Sequence, residues 1–473
     1  MFGFSANANG VLTMKMLTMM VALTALAASA EFRAGFARRE INPPMGSCIP
    51  GYFSVRPVSG VIDDIEANAV AFSDGTSTAV VVSLDLVEIK GLCTEYRRRA
   101  AAATGLAPEM IYLACTHTHT GGCVGKAADA YEIAFDGPPA YDELVGRRIV
   151  EVCQAAIADL KPARMLQGRT EAKGVSFVRR FRMRDGRATT NPGRNNPDIV
   201  APIGTPDEDV QIVRLVRDGA DEILLVNFQC HPDCIGGTLV SADWPGVVRR
   251  TLEGSLGDVK CVFFNGAEGD TNHIDVHPDP KRPLTGKCAA SRHFGRTVAG
   301  AVLAAYDFCA PVATGRVRAT VKEVPLPLRD RTGEDLAAAK ADWALHTAGR
   351  KGEIKGHRYR LVEAARIVRL VNEPKEIPFP IAALTIGDVL CFTGLPCEPF
   401  TEYGRFCKRN SPFGMTFYTC LTDGSFGYLP TAEGCSGDSY ESNSTIFSSA
   451  CEDIVRSAQK ALLDDLGRGG QRP

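Results

Sequence analysis

TAVVVSLDL (residues 78–86), LCTEYRRRAAAA (92–103) and MIYLACTHTHTGG (110–122) succeed one another in the chain. The first run and the start of the third are apolar stretches of strand length, rich in β-branched or aromatic residues, and read as buried strands. The stretch between them reads as a helix. Strand, helix, strand is a βαβ unit, which predicts a parallel pair joined by a right-handed crossover. Asp85 and His117 then both fall at strand C-terminal ends, where open α/β sheets gather their ligands. In Thr116-His117-Thr118-His119-Thr120-Gly121-Gly122, alternation along a strand puts His117 and His119 on one face. The glycines let the backbone turn sharply and a substrate approach. In a chain with eight His, two imidazoles on one side of a strand end point to a metal ligand beside a catalytic neighbour. The plain alternative is a pair of hydrogen-bonded histidines on a polar loop.

The same strand-then-polar pattern recurs. Residues 223–229 run into His231, 261–264 into the 266–273 loop, 389–393 into Glu398, and 417–420 toward Tyr428. The expected fold is α/β: a mixed, largely parallel sheet or sheets flanked by helices, with a metal site at strand C-terminal ends. Helical spacing marks 141–160, which ends before Lys161-Pro162, and two surface helices at 334–347 and 357–371. Residues 181–209, rich in Gly, Pro, Asn and Asp, read as a structureless lid, binding loop or mobile segment. Chemistry-bearing positions extend from 51 to 440, which argues for one interwoven catalytic domain over 31–473.

Composition narrows the classes. At 473 residues, with 45% hydrophobic and 23% charged, the chain is an ordinary globular protein with room for a large core. A net charge of −2 gives no electrostatic case for nucleic acid. Lys15, the apolar run 17–27 and Ala28-Ser29-Ala30 predict a signal peptide over 1–30, too short in its apolar part for a membrane span. Met14 or Met16 are alternative starts. No Cys sits at the cleavage point, so a lipoprotein anchor is not indicated. The expectation is export, periplasmic or secreted, with no transmembrane segment after cleavage. Of the 16 Cys, Cys115, Cys261 and Cys391 lie in strand-like runs and read as small hydrophobes. Cys230-His231-Pro232-Asp233-Cys234 is a poor local zinc site, because Pro stiffens it and no second Cys pair matches.

Read together, THTHTGG, CHPD (230–233), GLPCEPF (394–400) and GYLPT (427–431) resemble the catalytic domain of the neutral/alkaline, non-lysosomal ceramidase family. The resemblance runs through short motifs over nearly all of the chain after residue 30. It implies a Zn²⁺ held by His117, His231, Glu398 and Tyr428. It implies substrate contact by His119, by Tyr440 in Tyr440-Glu441, by Arg179 (with Arg180 as the alternative) and by Gly51 in Gly51-Tyr52. Singly, each has a plainer reading: a loop His, a solvated Glu, a core Tyr, an ion-paired Arg. Their joint order carries the resemblance. Two neutral imidazoles, a carboxylate and a phenolic oxygen suit Zn²⁺ with room for water. Such an ion lowers the water's pKa and polarises a carbonyl. Asp85 is either a carboxylate that orients a ligand His or a loop acceptor.

Two departures matter. The family's Gly-Asp-x-Ser-Pro-Asn segment reads Gly269-Asp270-Thr271-Asn272-His273 here. Asn272 is no nucleophile, so a metal-activated water is expected to attack, with the Asn272 amide donating to a substrate oxygen. The family's further C-terminal β-sandwich domain has no counterpart after Tyr440, which weakens the case for ceramide while leaving amide hydrolysis intact. The implied function is an exported zinc-dependent hydrolase of a small-molecule amide, an N-acyl amide or similar. Two alternatives stay open: a TIM-barrel amidohydrolase using the HxH pair, and a non-catalytic binding protein on the same scaffold.

Overall fold

Tight turns and single-helix crossovers leave different marks on strand pairing. The computed structural model describes residues 31–468 except 53, 55, 126–138, 331–332 and 372; the expected signal peptide lies outside the described residues. Where the connection is short, the strands are antiparallel. Glu66–Ser73 returns as Thr78–Leu84 around a turn in which Asp74 Oδ1 accepts from the Thr76 and Ser77 amides at 2.8 and 2.7 Å, the tight link that only an antiparallel pair allows. Three pairs whose strands are joined through a single helix are parallel. Helix Cys93–Thr104 joins Thr78–Leu84 to Ile111–Cys115, Asp243–Leu256 joins Glu222–Phe228 to Val259–Asn265, and Thr401–Asn410 joins Leu390–Gly394 to Met415–Thr419.

These strands build two sheets. The larger, nine-stranded sheet runs Val259–Asn265, Glu222–Phe228, Asp209–Arg217, Lys161–Glu171, Arg33–Glu40, Glu66–Ser73, Thr78–Leu84, Ile111–Cys115, with Ala310–Val312 also on Lys161–Glu171. Only its two outer pairs are parallel. The four-stranded sheet runs Val317–Pro327, Glu376–Ile386, Leu390–Gly394, Met415–Thr419, parallel only in the last pair. The fold is therefore mixed α/β as expected, but the sheets are largely antiparallel rather than largely parallel. Antiparallel pairings between distant segments, together with a few hairpins, made that difference, since local apolar runs do not reveal which neighbour a strand takes. The open sheets also remove the TIM-barrel alternative.

Alternation fixes the layers. Along Thr78–Leu84, Val80, Val82 and Leu84 face helices Cys93–Thr104 and Pro139–Ala158, while Ala79 and Val81 face the second sheet. Both faces are buried, hence the unbroken apolar run. Between the sheets the Phe392 ring meets Phe72, Tyr112, Phe264 and Phe417 at centroid distances of 5.3–6.1 Å. Helices Asp243–Leu256 and Ala289–Tyr306 cover the rest of the large sheet, and Cys451–Arg468 covers the small one. The order is helix, sheet, sheet, helix.

Two loop-level expectations change. Residues 181–209 are not structureless: Arg180–Met183, Ala188–Thr190 and Ile199–Pro202 form a small antiparallel sheet, anchored by Phe181 and Met183 against Val276. The helix found at Arg360–Leu370 is more than a surface element, since it buries Val362, Ile367 and Leu370. Cys115, Cys261 and Cys391 are buried and packed as small apolar side chains. No helix among the described residues is long and apolar enough to cross a membrane.

Candidate metal centre

Every strand of the three helix-linked parallel pairs ends in a loop that reaches one place. The first such strand ends at Leu84, and the Ile111–Cys115 strand ends before the histidines. Beyond it, His117 takes a left-handed backbone with φ 70°, a conformation that costs a non-glycine residue about 1–2 kcal/mol. The turn is held by Thr116 and His117 amides donating to the Leu84 and Leu86 carbonyls at 2.8 and 2.9 Å. Strand alternation is thus not what unites the two histidines. The left-handed step brings the His119 ring edge-on to His117, with Nε2 atoms 3.3 Å apart.

His231 arrives from the Glu222–Phe228 strand, and its Nε2 lies 3.2 Å from that of His117. Each ring has its other nitrogen on a backbone carbonyl: His117 Nδ1 on Val87 at 2.9 Å, His231 Nδ1 on Glu268 at 3.0 Å. A carbonyl only accepts, so in the neutral rings the proton sits on Nδ1 and the Nε2 lone pairs face each other. Glu398 Oε2 stands 3.3 and 3.2 Å from these two nitrogens. The Glu398–Pro399 and Tyr428–Leu429 segments pair in parallel, which sets Tyr428 beside Glu398 and its hydroxyl 3.3 Å from His231 Nε2. Two imidazole nitrogens, a carboxylate and a phenolic oxygen in one place form a donor set that suits a divalent ion such as zinc. Two overlapping donor groups are present: His117, His119 and His231, and His117, His231, Glu268 and Glu398.

The charges answer to that geometry. Burial pushes the His117 imidazole down, but Glu398 beside it pulls it up, to about 9. Glu398 is held well below the usual carboxylate range, against its burial, chiefly by His117. Burial together with the His117 and His231 rings holds His119 well below an ordinary imidazole. Its Nδ1 faces Gly51, where a Cβ would come within 2.7 Å and φ is +99°. Glycine is required there on both counts.

Arg179, rather than Arg180, enters the site. Its Nε donates to Glu441 Oε1 at 2.6 Å, one terminal nitrogen to the Gly269 carbonyl at 2.8 Å, and the other lies 3.3 Å from His231 Nε2. Arg180 lies over the Phe400 ring instead. Tyr440 reaches the cavity wall, with its ring 5.5 Å from that of Tyr428, while its neighbour Glu441 anchors Arg179 and Thr190. Asn272 does not take the expected place. It is fully buried, its amide nitrogen donates to Asn191 at 2.9 Å, and its oxygen accepts from the Ile274 amide at 3.0 Å. Asn191, not Asn272, lines the cavity. Asp85 orients no histidine ring; it takes Arg249 at 2.9 and 2.6 Å and the Glu66 amide at 3.0 Å. Neither Cys230 nor Cys234 joins a metal-binding group among the described residues.

Two groups escaped the sequence reading. Glu268 stands in the 266–273 loop, noted there only as a strand end. Asp233 lies two residues past His231 and is held well below the usual range, against burial, by His273 Nδ1 at 2.8 Å. The site opens into a cavity of about 340 Å³ walled in part by Tyr52, Val87, Lys90, Asp233, Arg358 and Tyr359. Val87 is the one aliphatic side chain on its described wall.

An open αββα sandwich with a His-, Glu- and Tyr-lined centre at its strand ends defines the class of the molecule. The fold is that of neutral ceramidase. The chain is similar to the crystal structure of neutral ceramidase from Pseudomonas aeruginosa, with a TM-score of 0.71 and 17% identity over 93% of this chain and 75% of that one. It is likewise similar to a ceramidase complexed with C2, with a TM-score of 0.68 and 17% identity over the same shares. No family model and no curated protein matches the sequence.

Proposed function

We propose that the chain is an exported zinc-dependent hydrolase of the neutral ceramidase-like kind, cleaving the amide bond of an N-acyl amide or similar small molecule, with 31–473 as one catalytic domain. The observation that carries this reading is the buried convergence of His117 Nε2, His231 Nε2 and Glu398 Oε2 within 3.2–3.3 Å of one another. His117, His231, Glu398 and Tyr428 would hold the ion. When bound, it supplies a Lewis acid that polarises a carbonyl and acidifies water.

The chain's own residues do the rest. Arg179, pinned by Glu441 and Gly269, keeps a cation at the ligand His231 and at the cavity wall, where it stabilises negative charge developing on an amide oxygen. His119, a neutral ring with Nδ1 free of hydrogen bonds, is placed to carry a proton to the departing amine. Tyr428 and Tyr440 give the substrate a flat, polar wall. Asn191, held by Asn272, offers an amide where the sequence placed that of Asn272.

Elemental analysis of purified protein and its variants, with turnover screened across N-acyl amides, lactams and ceramide, tests this. The wild type should carry one zinc, and His117→Ala or His231→Ala should lose it. His119→Ala should keep the ion and lose a factor on the order of 10²–10⁴ in rate. Wild-type protein without affinity for a divalent ion contradicts the reading, as does an ion-loaded protein that hydrolyses no amide.

A further inference from the structure

Glu268 follows the Val259–Asn265 strand, and both ends of the residue face the metal centre. Its carbonyl takes His231 Nδ1 at 3.0 Å and so aims that ring. Its carboxylate is fully buried, and neither oxygen has a hydrogen-bond partner. The Cys420 thiol lies beside it, but a thiol is a weak donor. One carboxylate oxygen lies within 4.8 Å of the donor atoms of His117, His231 and Glu398. The Arg179 guanidinium makes no hydrogen bond to it: its three nitrogens go to Glu441, to the Gly269 carbonyl and to His231 Nε2. The loop is also tightly fitted: the Gly269 amide donates to the Pro399 carbonyl at 2.9 Å, and a Cβ on Gly269 would come within 2.4 Å of the Glu398 carbonyl.

A carboxylate that serves structure is hydrogen-bonded when buried; one without donors is a large energetic liability unless a positive charge stands beside it. Here the carboxylates of Glu268 and Glu398 converge with two imidazole nitrogens, one atom of each group close enough to share a single ion. We propose that Glu268 is a metal-binding carboxylate of this chain, giving an oxygen to the divalent ion held by His117, His231 and Glu398. The inference rests on the metal-site reading above and extends its ligand set. Two carboxylates then balance the charge of the ion inside a dry site, which strengthens retention of the ion.

The test uses metal-free full-length protein titrated with zinc against a chromophoric chelator, with melting temperatures recorded with and without zinc. Glu268→Gln keeps the shape and removes the charge. Zinc affinity should fall by about 10–100-fold, and the rise in Tm on adding zinc should shrink accordingly. In the metal-free form the variant should melt no lower than wild type, because the amide keeps the shape and neither Glu268 oxygen has a hydrogen bond to lose. Glu268→Leu, which fills the space without a polar atom, should show the same loss of affinity. A Glu268→Gln protein that binds zinc as tightly as wild type overturns the proposal, and so does one that melts lower when metal-free with its affinity unchanged. Wild-type protein that takes up no zinc removes the metal-site reading and this inference together; tight wild-type binding with unaltered Gln and Leu variants removes only the inference.

Discussion

His119 and Gly51 illustrate how closely single residues are fitted here. With φ +99° and 2.7 Å from a virtual Cβ to the His119 ring, Gly51→Ala meets backbone strain of about 1–2 kcal/mol and a clash that displaces His119. Turnover should drop at least tenfold while zinc content, set by other residues, stays near wild type; parallel kinetics and elemental analysis check this. Equal activity would mean that His119 tolerates displacement. At this scale much of the site was legible, because THTH, HP, EP and GY are short motifs whose chemistry is local. What was not legible was the cause of their convergence. A left-handed His117 leaves no trace in hydrophobic periodicity, and Glu268 carries no motif, only a place in a loop.

Secondary-structure elements bring these residues within reach of one another, and charge pairs inside the fold lock the elements. Asp85, just past the Thr78–Leu84 strand, binds Arg249 of helix Asp243–Leu256 and receives the Thr116 hydroxyl at 3.3 Å. Both partners are buried, at 2% and 0% side-chain exposure. Asp85→Asn leaves the guanidinium uncompensated, which should cost about 3–5 kcal/mol in unfolding free energy, read from urea denaturation. A change below 1 kcal/mol would show that Glu66, at 3.1 Å from Arg249, suffices as its partner. Helices and central strands were readable from apolar spacing. The small sheet within 180–202 was not, because its strands are short and interrupted by Gly, Pro and Asn, and its pairing depends on Phe181 and Met183 finding a distant Val276.

Across the whole molecule, Asp423 ties the two sheets together. It follows the Met415–Thr419 strand of the small sheet, takes Arg97 at 2.7 Å, and exchanges hydrogen bonds with Leu113 of the large one. Burial pushes its carboxyl up, to about 6, against the pull of Arg97. Its folded pKa then exceeds the unfolded value near 3.9, so the native state binds more protons between about pH 4 and 6. Stability should therefore be higher at the acid end of that window and fall as pH rises through it, by on the order of 1–3 kcal/mol from this group. Asp423→Asn should flatten that slope in unfolding free energies measured at pH 4.5 and 6.5; an unchanged slope assigns it to other groups. Sheet order and strand direction were the least legible features, since they depend on pairings between distant segments such as residues 33–40 with 66–73.

The left-handed turn at His117 and the bridge between Glu398 and Tyr428 lie far apart in the chain yet meet at one group of side chains that could hold an ion. A ribosome delivers His117 and His119 first, His231 and Glu268 later, and Glu398 and Tyr428 last. No fragment released early holds a complete donor set, and the His117 and His231 rings each depend on a carbonyl from another loop for orientation. Metal capture is thus a report of finished folding: an ion retained through dilution marks a chain whose two sheets have already met, and stripping the ion gives a measure of how much of that agreement the protein keeps by itself.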